Sequence, residues 1–533
     1  MHKEGRKRKV GIITPPDVRA LANLRTPSPK RHREENGDDV ELESWSYASE
    51  MGEANLSTHT EDNLTSFRDC GTSNNWRLLS CIPGASHNRF EHCIGTCHLA
   101  GRLVKSLKKR QPELRITDED MLCVKIAGLC HDLGHGPFSH MFDALFIPTA
   151  RPDSGWKHEY ASVKMFDHLM EVNNLLPSFA KYNLSDGDVT FIKELIAGTA
   201  LETNSSMEWP HKGRGPEKSY LYEIVANKRT GIDVDKFDYF SRDCHCLGIS
   251  NSFDHKRYMK FARVINVKGK LQICVRDKEA GNIYDMFHTR NSLFRRAYQH
   301  KTSNIIERMI MEALLKADRN VRLRGSNGRM LSISESIDDM EAYTQLTDQV
   351  YYQILYSTDP ALEEARNIIL RIEKRDLYKC IGQTILRKLR DKEEIPDITQ
   401  EMANCIEGGP HVEPEDFVID IITFDYGMRD RNPIDEVRFY GKNNPDKPMI
   451  VRKDEVSNML PEMFAEQHIR VHFRKNDPES LEKAKRCFIC WCQSQLCTTP
   501  KGGDALAELT PMKSSQESGH GNMERRLSFL DES

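Results

Sequence analysis

The run KIAGLCHDLGHGPFSHMFDALF (125–146) sets His131, His135 and His140 and the carboxylates Asp132 and Asp143 in a segment otherwise apolar or glycine-rich. Ionisable groups do not enter such a segment for packing, because each desolvated charge has to be offset by a partner. His131 and Asp132 are neighbours and His135 lies one helical turn on, so all three can face one cleft. Imidazole together with carboxylate suits Zn, Fe or Mn better than Ca or Mg alone. Further ligands have to come from elsewhere. HNRFEH (87–92) offers His87 or His92, and GIDVDKFDYFSRD (231–243) offers Asp235, Asp238 and Asp243. One histidine from the first, the His131–Asp132 pair and one aspartate from the last make a four-ligand site with room for water. A metal at a phosphate neutralises charge and acidifies water. A histidine near its ordinary pKa of about 6.5 can protonate a leaving oxygen. A lone His-Asp dipeptide is common on surfaces; three such segments in this order are not.

The elements that position these groups are mainly helical. Apolar positions recur with helical period over 92–109 and 118–136, the second capped by Asp118 and broken at Gly136–Pro137. Further helical patterns cover 157–171, 188–197, 218–228, 284–316 and 478–494, with a long amphipathic pair over 337–357 and 359–379. FARVINVKGKLQICVR (261–276) reads as a hairpin turned at Lys268–Gly269. Strand-like alternation over 417–427, 435–441 and 468–475 places a smaller lobe after residue 401. The divisions expected are 1–80, largely disordered; 83–400, the main core; 401–498, the α+β C-terminal lobe; and 499–533, a disordered tail.

Composition narrows the class. The 533 residues are 38% hydrophobic and 29% charged with net charge -4, the profile of a chain with a sizeable core and no bulk charge preference for a partner. Residues 1–33 differ, with Lys3, Arg6, Lys7, Arg8, Lys9, Arg19, Arg25, Lys30, Arg31 and Arg33 against Glu4 and Asp17. Such a stretch reads as a nuclear address or a loose contact to single-stranded nucleic acid. Fifteen cysteines without a secretory leader fit a reducing compartment. No apolar run approaches the roughly 18 residues of a membrane span, so no membrane partner is expected.

PGASHNRFEH (83–92), AGLCHDLGHGPFSHMFD (127–143), NKRTGIDVDKFDYFSRDCH (227–245) and YDMFHTRNSLFRRAYQHK (284–301) resemble the HD-domain phosphohydrolases, and within them the family that hydrolyses deoxynucleoside triphosphates. The resemblance runs from Pro83 to about residue 495 and implies a mostly α-helical HD-domain core with a smaller α+β C-terminal lobe and disordered tails. It implies His92, His131, Asp132 and Asp235 as metal ligands, and His158 as general acid/base helped by His135, His140 and Asp143. It implies release of deoxynucleoside and intact triphosphate, which limits the dNTP pool and viral replication. Arg89, Lys236 and Arg290 would hold phosphate, where the guanidinium fork suits phosphate oxygens. Tyr239, Asp243, Tyr298 and Gln299 would meet sugar and base, a tyrosine against the sugar excluding a 2'-hydroxyl. Mg would accompany the nucleotides. A dimer would become a tetramer on binding GTP or dGTP and a dNTP as allosteric effectors. The dNTP effector contacts would be Arg257, Arg276, Lys278, Asn282, Arg296, His300, Lys301 and Lys442; Arg375 and Lys379 would meet the guanine nucleotide.

Departures from the family are equally specific. Phe294 stands where the family usually has histidine. The DPIHG-like and QLGG-like strings that precede PGASHNRFEH in the family do not occur in 41–80, and Cys81–Ile82 stand in place of a Val-Phe pair. Those strings carry part of the guanine-nucleotide site and a Gln-Leu pair on the substrate sugar. Their lack favours the alternative reading, a catalytically weak or inactive nucleic-acid-binding scaffold with the same core. A cyclic-nucleotide phosphodiesterase also uses HD metal sites but does not account for Tyr298–Gln299. Gly441 replaces the cysteine of redox-regulated relatives. In the tail, Thr510-Pro511 resembles a proline-directed phosphorylation site and Arg525–Phe529 a cyclin-docking motif, giving a cyclin and its kinase as expected partners.

Overall fold

The computed structural model describes residues 81–199, 201, 209–387, 390–406, 412–495 and 497. The basic N-terminal stretch, Thr510 and Arg525–Phe529 lie outside them.

Helix α1 (Arg89–Arg110) begins at Asn88, whose side chain and that of Glu91 form a capping box, and ends in Lys108, Lys109 and Arg110, which complement its dipole. Helix α2 (Asp118–Cys130) is capped by Thr117 with Asp120, one residue before the expected Asp118. The two helices pack closely because Gly128 has no side chain: a Cβ there would lie 3.2 Å from the backbone of Cys97. Helices α3 (His158–Val172), α4 (Asp186–Ala197), α5 (Val234–Leu247), α6 (His255–Phe261), α7 (Ala280–Leu293), α8 (Lys301–Ala317) and α9 (Glu363–Glu373) complete the main body. Their apolar faces join one continuous core that runs from Ala85 to Phe464.

Strands β1 (Ala262–Val267) and β2 (Lys270–Arg276) form the expected hairpin, with Lys268 and Gly269 both at positive φ. Its sheet continues through β5 (Phe439–Tyr440), parallel to β2, and β6 (Pro448–Met449). The C-terminal lobe has its own core around Ile398, Phe417, Val471, Phe488 and Trp491. Its sheet has the order β3 (Lys379–Ile385), β7 (Ala465–Phe473), β4 (Phe417–Asp425), all antiparallel pairs, with α10 (Ile395–Ala403) and α11 (Pro478–Ser494) packed against it and each other.

Several expectations need correction. The lobe's sheet draws in β3, from before residue 401, whereas the strand at 439–440 belongs to the main core's sheet, where Phe439 is fully buried. The helix bearing the His-Asp pair stops at Cys130, ahead of the expected break at Gly136–Pro137, and residues 131–134 form a turn. The pattern over 284–316 is interrupted by a π-turn at Phe294–Tyr298 and a break before Lys301, and 337–357 resolves into short pieces around Met340–Tyr343 and Gln349–Leu355. Residues 216–223 are a kinked 3-10 segment.

Candidate active site

The end of α2 hands the chain to the HDLGHGPFSH turns, and the local sequence explains why it stops there. Gly134 lies directly on the first turn of α3: a Cβ would sit 2.1 Å from the Ser162 nitrogen and 2.4 Å from the His158 carbonyl oxygen. The Gly134 N–H donates to Ser162 Oγ at 2.9 Å, and the Tyr343 hydroxyl donates to the Gly134 carbonyl at 2.8 Å. Phe138 and Ser139 follow, both left-handed at φ 58° and 56°, a conformation that costs on the order of 1–3 kcal/mol per residue. Burial of Phe138 and its N–H bond to Asp348 at 2.8 Å hold that turn, which presents Ser139 Oγ to Arg89.

Two clusters result. In the first, donor atoms of His92, His131 and Asp132 all lie within 4.8 Å of one another. Asp235, from the first turn of α5, adds a carboxylate oxygen 3.1 Å from His92 Nε2 and 3.4 Å from His131 Nε2. Both rings are oriented through their other nitrogen. His92 Nδ1 meets Asp238 Oδ2 at 2.8 Å, and Asp238 is itself gripped by Arg242 at 2.9 Å. His131 Nδ1 meets the Gly128 carbonyl at 2.9 Å, and its buried Nε2 makes no hydrogen bond. With Nδ1–H donating, both Nε2 lone pairs aim at the carboxylates, the arrangement in which imidazole binds a metal. The donor set and the unsatisfied nitrogen fit a divalent transition ion.

Electrostatics agree. Burial opposes charge on His92, yet hydrogen bonds to Asp235 and Asp238 and the charge of Asp132 raise it to about 10. His131 is raised in the same sense: burial is outweighed by Asp132 and Asp235. Against the burial that would raise them, Asp132 is held well below the carboxylate range by His131 and Arg89, and Asp235 is lowered by His131 and His92. The cluster thus concentrates negative potential that a cation satisfies.

The second cluster brings together His135, His140, Asp143 and His158, again with donor atoms within 4.8 Å. His158 Nδ1 lies 2.5 Å from Asp143 Oδ2, and its ring stacks on His135 at 4.0 Å. Despite burial, the Asp143 hydrogen bond and charge raise His158. Burial and the charges of Arg89 and His158 push His135 well below its ordinary value. Neighbouring groups driven apart in this way divide into a proton carrier and a neutral partner.

Both clusters open on one cleft of about 780 Å³, lined among others by His131, Asp132, His158, Asp235, Lys236 and Arg290. Arg89 pairs with Asp132 beside it, and Lys236 pairs with Asp233, the cap of α5, at 3.1 Å. Arg290 is held by the Asp425 carbonyl and carboxylate, each at 2.7 Å, and stacks over Phe294 at 4.3 Å. Tyr298 donates to Asp243, which His87 also contacts at 2.8 Å; of the two histidines in HNRFEH, His92 is therefore the one at the metal cluster. Tyr239 edges on His92 at 6.4 Å, and Gln299 accepts from Asn304 at 2.8 Å.

The effector candidates lie elsewhere, and none lines the cleft. Arg257, Glu279 and Asn282 interlock, with Lys278 3.9 Å above Phe261. Arg276 pairs with Asp277 at 2.9 Å. Arg296 lies in the π-turn, and His300 caps α8 ahead of Lys301. Arg375 lies in the turn between α9 and β3, Lys379 opens β3, and Lys442 follows β5. The sequence offers Asp238 as a candidate ligand, whereas the structure puts it behind the His92 ring, and the cleft walls Asn227–Gly231 and Gly427–Arg431 go unread. The run GMRDR was a weak signal for the second, since Gly427 and Arg429 take positive φ.

A helical body whose His and Asp side chains build a metal cluster beside a histidine–carboxylate pair defines an HD-domain protein, and the HD domain model matches residues 89–243. Among curated proteins, the deoxynucleoside triphosphate triphosphohydrolase SAMHD1 of Danio rerio is 57% identical over 440 residues, covering 81% of this chain and 71% of that protein. The Homo sapiens protein of the same name is 53% identical over 439 residues (81% and 70%), and the Dictyostelium discoideum homolog 36% over 407 (76% and 72%). The chain belongs to the SAMHD1 family of HD-domain proteins.

Proposed function

We propose that the chain hydrolyses deoxynucleoside triphosphates to deoxynucleoside and inorganic triphosphate, with a metal held by His92, His131, Asp132 and Asp235. The observation that carries this reading is the pair of Nδ1-anchored histidines facing two carboxylates in a cleft shared with Lys236 and Arg290. A bound metal supplies charge neutralisation at the α-phosphate and an acidified water. The chain's own residues do the rest. Arg89, Lys236 and Arg290 hold the triphosphate oxygens, exchanging their carboxylate partners for phosphate. Tyr239 and Tyr298 meet the sugar, where a 2'-hydroxyl finds no room. Water adds at the α-phosphorus, the bond to the 5'-oxygen breaks, and His158 gives that oxygen its proton while Asp143 keeps the ring oriented.

Zn, Fe or Mn is the resident ion in this reading, with Mg accompanying nucleotides. Arg257, Arg276, Lys278, Asn282, Arg296, His300 and Lys301, with Lys442, take a dNTP effector; Arg375 and Lys379 take GTP or dGTP, and occupancy drives dimer to tetramer. The basic segment supports a nuclear setting, where the activity lowers dNTP supply to replicating viruses. The test incubates purified protein with dGTP or dATP and Mn or Mg, with and without GTP, and measures inorganic triphosphate. Release that disappears in Asp132→Ala is expected. No release from a protein that carries its metal would overturn the activity and leave the scaffold reading.

A further inference from the structure

The C-terminal lobe holds a thiol pair that the hydrolytic site does not use. Cys405 lies two residues beyond α10, and Cys490 lies on α11, which packs against α10. Although 85 positions apart, they touch: the Cys490 thiol donates to the Cys405 carbonyl at 3.5 Å. Accessibility separates the candidates. Cys405 and Cys490 are half-buried, whereas Cys487 and Cys492 are sealed in the lobe's core.

We propose that Cys405 and Cys490 form a thiol–disulfide site that is oxidised by glutathione disulfide. Burial and the neighbouring Cys490 thiol push the Cys405 thiol up, and it is the thiolate that attacks. The exchange opens at Cys490. Its thiolate attacks one sulfur of glutathione disulfide, forming a mixed disulfide and expelling one glutathione. The Cys405 thiolate then attacks the Cys490 sulfur, the bond to glutathione breaks, and the second glutathione leaves. Two protein thiols become one disulfide, one glutathione disulfide becomes two glutathiones, and the two protons pass to the released thiolates. The link closes a long loop and ties the end of α10 to α11, which also packs on β3, the strand that begins at Lys379.

The test equilibrates the full chain in graded glutathione and glutathione disulfide, quenches with N-ethylmaleimide, and maps disulfides by mass spectrometry of a non-reducing digest. The expected result is a Cys405–Cys490 linked peptide as the main product, absent in Cys405→Ser, where Cys490 instead retains glutathione. Oxidation is expected to raise the unfolding temperature of the unaltered chain and not that of Cys405→Ser. Recovery of both cysteines as maleimide adducts where other half-buried cysteines carry glutathione would overturn the proposal. So would a link from Cys490 to Cys487 or Cys497 instead. The first readout needs no variant, so misfolding of a mutant cannot decide the outcome.

Discussion

Asp238 touches no substrate and is not a ligand, yet the geometry makes it a control on metal affinity. Its Oδ2 lies 2.8 Å from His92 Nδ1, and Arg242 braces it through two 2.9 Å bonds. Its carboxyl is held low: burial raises it, but the His92 and Arg242 bonds win. Asp238→Asn keeps an acceptor for Nδ1–H but loses the charge that makes the ring a stronger base; Asp238→Ala also frees the ring to turn. Loss of such an outer partner costs about 10–100-fold in metal affinity, or roughly 1.4–2.8 kcal/mol. We expect the asparagine variant near the low end and alanine near the high end. A third arm leaves the aspartate in place. Gly95 faces it from α1, and a Cβ there would stand 1.8 Å from Asp238 Oδ1 and 2.7 Å from Arg242 Nη2, so Gly95→Ala has to displace the carboxylate. The assay is competition with a chromophoric chelator for Mn or Zn, with helix content checked by circular dichroism. Well-folded variants that bind metal like the parent would refute the reasoning for His92.

Other perturbations probe other parts of the site. Asp143 raises His158, so the protonated acid persists to higher pH in the parent chain; in Asp143→Asn the alkaline limb of kcat/KM should move toward acid, and loss of rate equal at all pH values would assign Asp143 to folding alone. Phe294→Ala removes the face under Arg290, worth on the order of 1 kcal/mol, and should raise KM for dGTP about fivefold with kcat little changed. Gly134→Ala drives a methyl into the backbone of α3 and should lower stability by about 1–3 kcal/mol in urea unfolding, with turnover falling further than stability accounts for.

The sequence displayed chemistry better than architecture. His92, His131, Asp132, Asp235 and the His158 group are legible because ionisable residues in apolar runs have few other uses, and the structure brings them to two adjoining clusters. Helix α11 was legible too, since Asp477 caps it, Pro478 opens it and its apolar stripe is complete. What stayed hidden depends on contacts distant in sequence. The stop at Cys130 is made by Ser162 and Tyr343 gripping Gly134, and local periodicity runs straight through it. The alternation over 435–441 announces a strand, but that β5 pairs with β2 in the main core's sheet, and not in the C-terminal lobe, depends on a partner far back in the chain. The cleft's far wall at Gly427–Arg431 reads as an ordinary polar turn until the fold sets it over Arg290.

The close seating of Gly134 on α3 has a mechanical meaning. With no side chain between them, the turn bearing His131 and Asp132 and the helix bearing His158 have no gap to slide across, so ion and proton donor share one frame. The opposite bank is joined differently: Gly427 lies over Arg290, whose guanidinium is tied to it only through the carbonyl and carboxylate of Asp425, bonds that a triphosphate reaching for Arg290 has to replace.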